Sequence, residues 1–206
     1  SPSTVNGKAF SQEFRLASAN NSQFSYMGGL FYQHATLDGV AVWNAPGGAA
    51  LWGNEVLPNN LLLKEISTVD TSEIAIFGDG EYKLTNDWSV GVGGRAYKNK
   101  SHYTVDSRLI EAVLGATIVE HANEESGFTP KASIKYRFGE QMWYALASKG
   151  YRLGGVNAGS GTIYKSDSLW NYETGLRLTQ SKDFKVDLTA FLLDWTNAQV
   201  NARQPG

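Results

Sequence analysis

The sequence predicts an all-β protein: an antiparallel up-and-down transmembrane β-barrel of about eight long strands, in the form of a partial barrel. Three observations predict it. Segments of 11 to 19 residues alternate apolar and polar side chains with a period of two, the signature of strands with one wet and one apolar face. The connections alternate strictly between short and long. Aromatic residues collect beside the short turns on the apolar parity. Composition agrees, since 12% aromatics and 22 glycines against 18% charged residues suit an aromatic-rich sheet better than a helical protein.

The first strands are read at 8–18 and 23–36, joined around Asn20-Asn21. The next pair, 66–84 and 87–103, turns at Thr85-Asn86-Asp87. Here Ile74, Ile76, Tyr82 and Leu84 oppose Glu73, Asp79, Glu81 and Lys83, and Trp88, Val90 and Val92 oppose Ser89, Gly91 and Arg95. The third pair, 128–138 and 141–151, meets at Gly139-Glu140; Ala132, Ile134, Tyr136 and Phe138 share one face, and Lys131, Lys135 and Arg137 the other. The last pair, 169–180 and 183–200, turns at Gln180-Ser181-Lys182, and its second face becomes apolar late, at Phe191 and Leu193. Small polar turn residues are those hairpins favour. The connections 37–65, 104–127 and 152–168 are read as long loops, all at the opposite end of the sheet. No segment carries an apolar 3.6 period over three turns, so the framework is expected to hold essentially no helix.

Alternation by itself suits either a soluble β-sandwich, whose core would hold Ile74, Val90, Ile134, Leu176 and Leu188, or a membrane barrel with those side chains in lipid. Strand length, turn asymmetry and an aromatic girdle of Phe24, Tyr82, Trp88, Tyr136, Phe138, Tyr144 and Phe184 favour the membrane. The stretches FSQEFRLAS (10–18) with FSYMGGLFY (24–32), FTPKASIKYRF (128–138) with MWYALASKGYRLGGVN (142–157), and SDSLWNYETGLRL (166–178) with LTAFLLDWTNAQV (188–200) then add a resemblance. In this order they resemble strand pairs of the TonB-dependent outer-membrane receptors, from the C-terminal part of the barrel. Leu153 stands where that family commonly has proline.

The resemblance implies an outer-membrane location in a Gram-negative bacterium, lipid as a partner, and import of a nutrient such as a ferric siderophore. It also implies energy coupling to a TonB system through an N-terminal plug. Residues 1–206 are expected to form a single partial-barrel domain with that plug absent. A complete eight-stranded barrel with a structural or adhesive role, and a soluble sandwich acting as a carbohydrate-binding module, stand as alternatives.

Chemistry is sparse. A net charge of −2 gives no sign of a nucleic-acid partner, and the lack of cysteine removes disulfides, thiolate metal sites and cysteine nucleophiles. No 18-residue apolar run offers a transmembrane helix, and the opening SPSTVNGKAF has no signal-peptide pattern. Gly91-Val-Gly-Gly-Arg-Ala96 fits a loose dinucleotide pattern, but the strand runs on where a helix is required. Glu120-His121 to Glu125 reads as an exposed acidic loop rather than a metal site. No enzyme, catalytic residue, metal site or cofactor is expected. Trp43, Trp52, Tyr151, Arg152, Tyr164 and Trp170, in or beside the long loops, are the candidates for contacting a ligand, because aromatic and arginine side chains suit large planar or anionic molecules.

Overall fold

Alternating side chains commit the chain to strands, and in the computed structural model eight of them join in one sheet. The described residues are 3–18, 23–156, 163–179 and 184–198. The strands are β1 (Ser3–Ala17), β2 (Phe24–Asn44), β3 (Leu61–Lys83), β4 (Trp88–Leu109), β5 (Thr117–Phe138) and β6 (Gln141–Arg152). After these come a two-residue pair, β7 (Gly155–Val156) and β8 (Ile163–Tyr164), then β9 (Asp167–Thr179) and β10 (Lys185–Thr196). The order is β1-β2-β3-β4-β5-β6-β9-β10, antiparallel throughout. Helix is confined to single turns in the loops: α1 (Gly48–Trp52), a 3-10 turn (Pro58–Asn60) and α2 (Glu111–Leu114).

The short turns behave as their residues require. Thr85 Oγ1 accepts the N–H of Asp87 and of Trp88 at 3.2 and 3.0 Å, and Gly139 supplies the positive φ, 67°, of the β5–β6 turn. The turns read at Asn20-Asn21 and Gln180-Ser181-Lys182 lie outside the described residues.

Two loops are much shorter than expected. β2 and β3 pair up to Asn44 and Leu61, and β4 and β5 up to Ser107 and Thr117. Glu120–Glu125 therefore belongs to β5 rather than to a loop. In these outer halves polar and apolar residues mix on both faces, with Leu37 and Val40 on opposite faces of β2 and Val69 and Ile66 on opposite faces of β3. The ladder therefore continues while the hydropathy contrast that reveals a strand disappears.

The sheet encloses no apolar core. Among the described residues only Leu57, in a loop, and Ala75 are buried apolar side chains. Ile74 is 61% exposed and Leu188 57%, so the sandwich and its proposed core are overturned. Nor is the sheet closed on itself: among the described residues β1 and β10 do not pair, contrary to a complete eight-stranded barrel.

One face carries the charges. Lys131 on β5 meets Asp79 on β3 at 3.0 Å, and Tyr151 on β6 reaches Glu73 on β3, also at 3.0 Å. Strand steps are about 4.8 Å, so side chains two and three strands apart meet only where the sheet curls toward that face. The charged face is therefore inner and the apolar face outer.

On the outer face the apolar side chains form a band. Segments 24–32, 74–82, 88–96 and 128–136 are each nine residues long, in line with the about 9–11 residues of a tilted membrane strand. Beyond them the same face turns polar at His34, Ser72, Lys98 and Ser126. The band also runs obliquely to the ladder. Its upper border falls at Phe10 in β1 and at Leu192 in β10. The ladder row through Leu192 passes Tyr172, Ala147, Ala132, Val92, Gly80 and Tyr26 and reaches β1 at Ser18, eight residues from Phe10. At about 3.3 Å per residue and about 4.8 Å per strand, eight residues over seven steps is about 26 Å against about 34 Å, a tilt of about 38°. Membrane barrels tilt their strands by about 35–45°.

At the short-turn border Trp88 stacks on Tyr136 at 4.5 Å, Tyr136 on Phe138 at 5.5 Å, and Trp143 stands edge-on to Trp88 at 6.4 Å. Tyr144 is a correction to the expected girdle. The turn at Gly139 pairs Tyr136 with Trp143, so Trp143 takes the outer face and Tyr144 turns inward, donating to Glu173 at 2.7 Å.

Candidate functional site

Two surfaces can carry function: the inner wall, and the loop end of its inner face. The inner wall is a set of ion pairs laid across glycines. Asp79, Gly93 and Lys131 stand in one row of β3, β4 and β5, so the carboxylate and the ammonium meet over the strand between them. A Cβ on Gly93 would collide with the Asp79 carboxylate. One pair lower, a Cβ on Gly91 would come within 2.6 Å of Ser133 Oγ, and Lys135 reaches Glu81 at 2.5 Å. The Gly91–Ala96 stretch thus serves clearance over a strand; no helix follows it. Higher on the wall Arg95 pairs with Glu73 and lies 4.7 Å from the centre of the Phe31 ring.

Toward the loops, β5 and β6 part. Their last pair is Lys131 with Ser148, and beyond it β6 pairs only with β9. Pro130, which has no N–H to donate, comes one residue past that pair. Tyr151 occupies the parting. Parity would turn it outward with Trp143, but with β5 no longer alongside its ring stacks on Tyr97 at 3.6 Å and 5°. Its hydroxyl donates to Glu73 Oε2 at 3.0 Å and accepts from Asn99 Nδ2 at 3.1 Å. Burial, reinforced by the Glu73 carboxylate, pushes the Tyr151 phenol up to about 12.

The other candidates distribute unevenly. Arg152 grips Asp167, which is buried, at 2.6 Å and lies 5.4 Å from the Trp195 ring centre. Tyr164 in β8 packs on Gly155, beside Tyr103, whose hydroxyl donates to the Gly154 carbonyl at 3.4 Å. Tyr151, Arg152 and Tyr164 thus belong to one cluster at the root of the β6–β9 loop. Trp43 lies near the end of β2, paired with Leu63 at a register shift, and Trp52 ends α1 in the β2–β3 connection, against Gly48. Trp170 has outward parity and stacks on Tyr172 at 5.9 Å.

Glu73, Tyr97, Asn99 and Tyr103 complete the cluster and were not singled out from sequence. Their shared odd parity was legible; their meeting with residues 151–155 was not. Every buried side-chain polar atom among the described residues has a partner, and no group of three or more carboxylate or histidine side chains there could hold a metal ion.

Residues 3–206 match the family described as TonB dependent receptor-like, beta-barrel. Comparison with curated proteins by sequence finds no match. Among solved structures, the ferric yersiniabactin uptake receptor FyuA from Yersinia pestis superposes with a TM-score of 0.82 at 16% identity, over 96% of this chain and 30% of that one. The ferric-catecholate import receptor Fiu from E. coli K12, in its closed form, gives 0.65 at 12% identity over 93% and 32%. The siderophore receptor PiuA from Acinetobacter baumannii gives 0.60 at 12% identity over 92% and 32%. The chain therefore spans about a third of these receptors' length. The barrels of this family are outer-membrane proteins of Gram-negative bacteria, and they are not enzymes. The matched residues cover nearly the whole sequence, and the chain belongs to the TonB-dependent receptor family as part of its β-barrel.

Proposed function

We infer that these eight strands form one arc of an outer-membrane receptor barrel, with the oblique apolar band in lipid and the charged face toward a plug. The whole receptor imports a scarce nutrient such as a ferric siderophore, energised by a TonB system acting on that plug. The oblique band carries the membrane part of this reading, since a horizontal slab of lipid cutting tilted strands requires such a slant. The three structural neighbours, a ferric yersiniabactin uptake receptor, a ferric-catecholate import receptor and a siderophore receptor, support the cargo. Tyr151, Arg152 and Tyr164, with Trp43 at the end of β2 and Trp52 in the β2–β3 connection, are the ligand-facing residues of this arc. Trp170 anchors the outer membrane interface instead.

Refolding into detergent micelles or lipid vesicles tests the membrane claim: the chain should show β-sheet circular dichroism and heat-modifiable gel migration there. A monodisperse soluble monomer in plain buffer would sink it. For the cargo, binding of a panel of ferric siderophores to the full-length receptor should weaken about tenfold in R152A, the scale of one lost charged contact. Unchanged binding of every panel member would reject Arg152 as a ligand contact.

A further inference from the structure

Just beyond the apolar band the outer face holds a feature that transport does not use. A hollow of about 370 Å³ is lined by His34, Asp70, Lys100, His102 and Glu124, drawn from β2, β3, β4 and β5. All have outward parity, and Lys98 is the first outward side chain past Ala96, the last apolar one of β4. Lys98 and Lys100 both reach Glu124, at 2.5 and 3.5 Å, while remaining 48% and 64% exposed. His34 lies 3.7 Å from Asp70 and is half exposed. Such open pairs are worth little, about 0–1 kcal/mol. Glu124 therefore holds two ammonium groups side by side at the border without consuming them.

We propose that this hollow seats the phosphate headgroup of a lipid of the surrounding leaflet, with Lys98 and Lys100 on the phosphate and His34 and His102 donating hydrogen bonds to its oxygens. The inference rests on the reading of the apolar band as the lipid-facing surface. Three observations favour a lipid over a soluble anion. The site faces away from the lumen. It begins one outward position past the band, where headgroups stand. And a lysine near such a surface contributes about 1 kcal/mol of attraction to anionic lipid.

The test is native mass spectrometry of the full-length receptor in non-ionic detergent, titrated with dioleoyl phosphatidic acid or dioleoyl phosphatidylcholine. The receptor should retain phosphatidic acid in preference to phosphatidylcholine. K98Q/K100Q should lower phosphatidic acid binding about thirtyfold, as loss of two such lysines implies. E124Q, which removes the competing carboxylate, should raise it severalfold, and K83Q, on the inner face, should leave it unchanged. Equal retention of the two lipids, or a preference that survives K98Q/K100Q, overturns the proposal. A heat-modifiable, vesicle-inserted receptor with no lipid preference would do so while leaving the membrane reading intact. A receptor that inserts into neither lipid would remove both.

Discussion

Tyr151 concentrates more long-range structure than any other described side chain at the loop end. Its hydroxyl joins β6 to β3 and β4, and its ring lies flat on Tyr97. Removing only the hydroxyl, Y151F, should keep the stack and lose the two hydrogen bonds, costing about 1–2 kcal/mol in urea unfolding from micelles. The effect has a defined pH dependence. The phenol's value is raised from 10 to about 12, so its contribution is fully present below pH 10 and is lost as pH climbs through 12. Wild type and Y151F should therefore differ in melting temperature at pH 8 and converge near pH 12. Melting curves that stay equally far apart at both pH values would show that the hydroxyl does not act through this pair.

At the scale of strands, glycine and aromatic residues are matched partners. Tyr144 lies over Gly175, Tyr97 over Gly127 and Phe77 over Gly29, each directly across a ladder. These pairs share one cause: a ring covers the backbone that its missing neighbour would leave bare. Gly93 has a different task, clearance for the Asp79–Lys131 pair. G93V should force that pair apart and lower stability by about 1–3 kcal/mol, the usual range for overpacking. D79N should cost under about 1 kcal/mol, because both charges are well exposed. If D79N proves as damaging as G93V, the glycine is not acting through clearance.

For the whole molecule, the oblique band sets the expected position of the membrane. The chain has no cysteine, so single cysteines report without interference. In this chain inserted in vesicles, I76C, V92C and L192C should resist water-soluble maleimide, while S72C, K100C and D194C should react at once. The border should descend along the ladder from β1 to β10. A border that follows a single ladder row would mean that the strands are not tilted in lipid.

Strand identity, hairpin pairing, the two faces and the family were legible in the sequence, because period-two alternation and turn chemistry are local properties. Lys131 and Lys135 on one face and Ile134 and Tyr136 on the other emerge as read. The sequence was silent where that contrast fails: in the outer halves of β2 to β5, where polar and apolar residues mix on both faces, and at Tyr144, where one turn decides parity. Tertiary structure alone settled which face is concave, that the parting beyond Pro130 admits Tyr151, and that Glu73, Asn99 and Tyr151 meet. Those contacts join residues up to 78 positions apart. They depend on sheet curvature and strand stagger, which arise from the ladder as a whole rather than from any one stretch of chain.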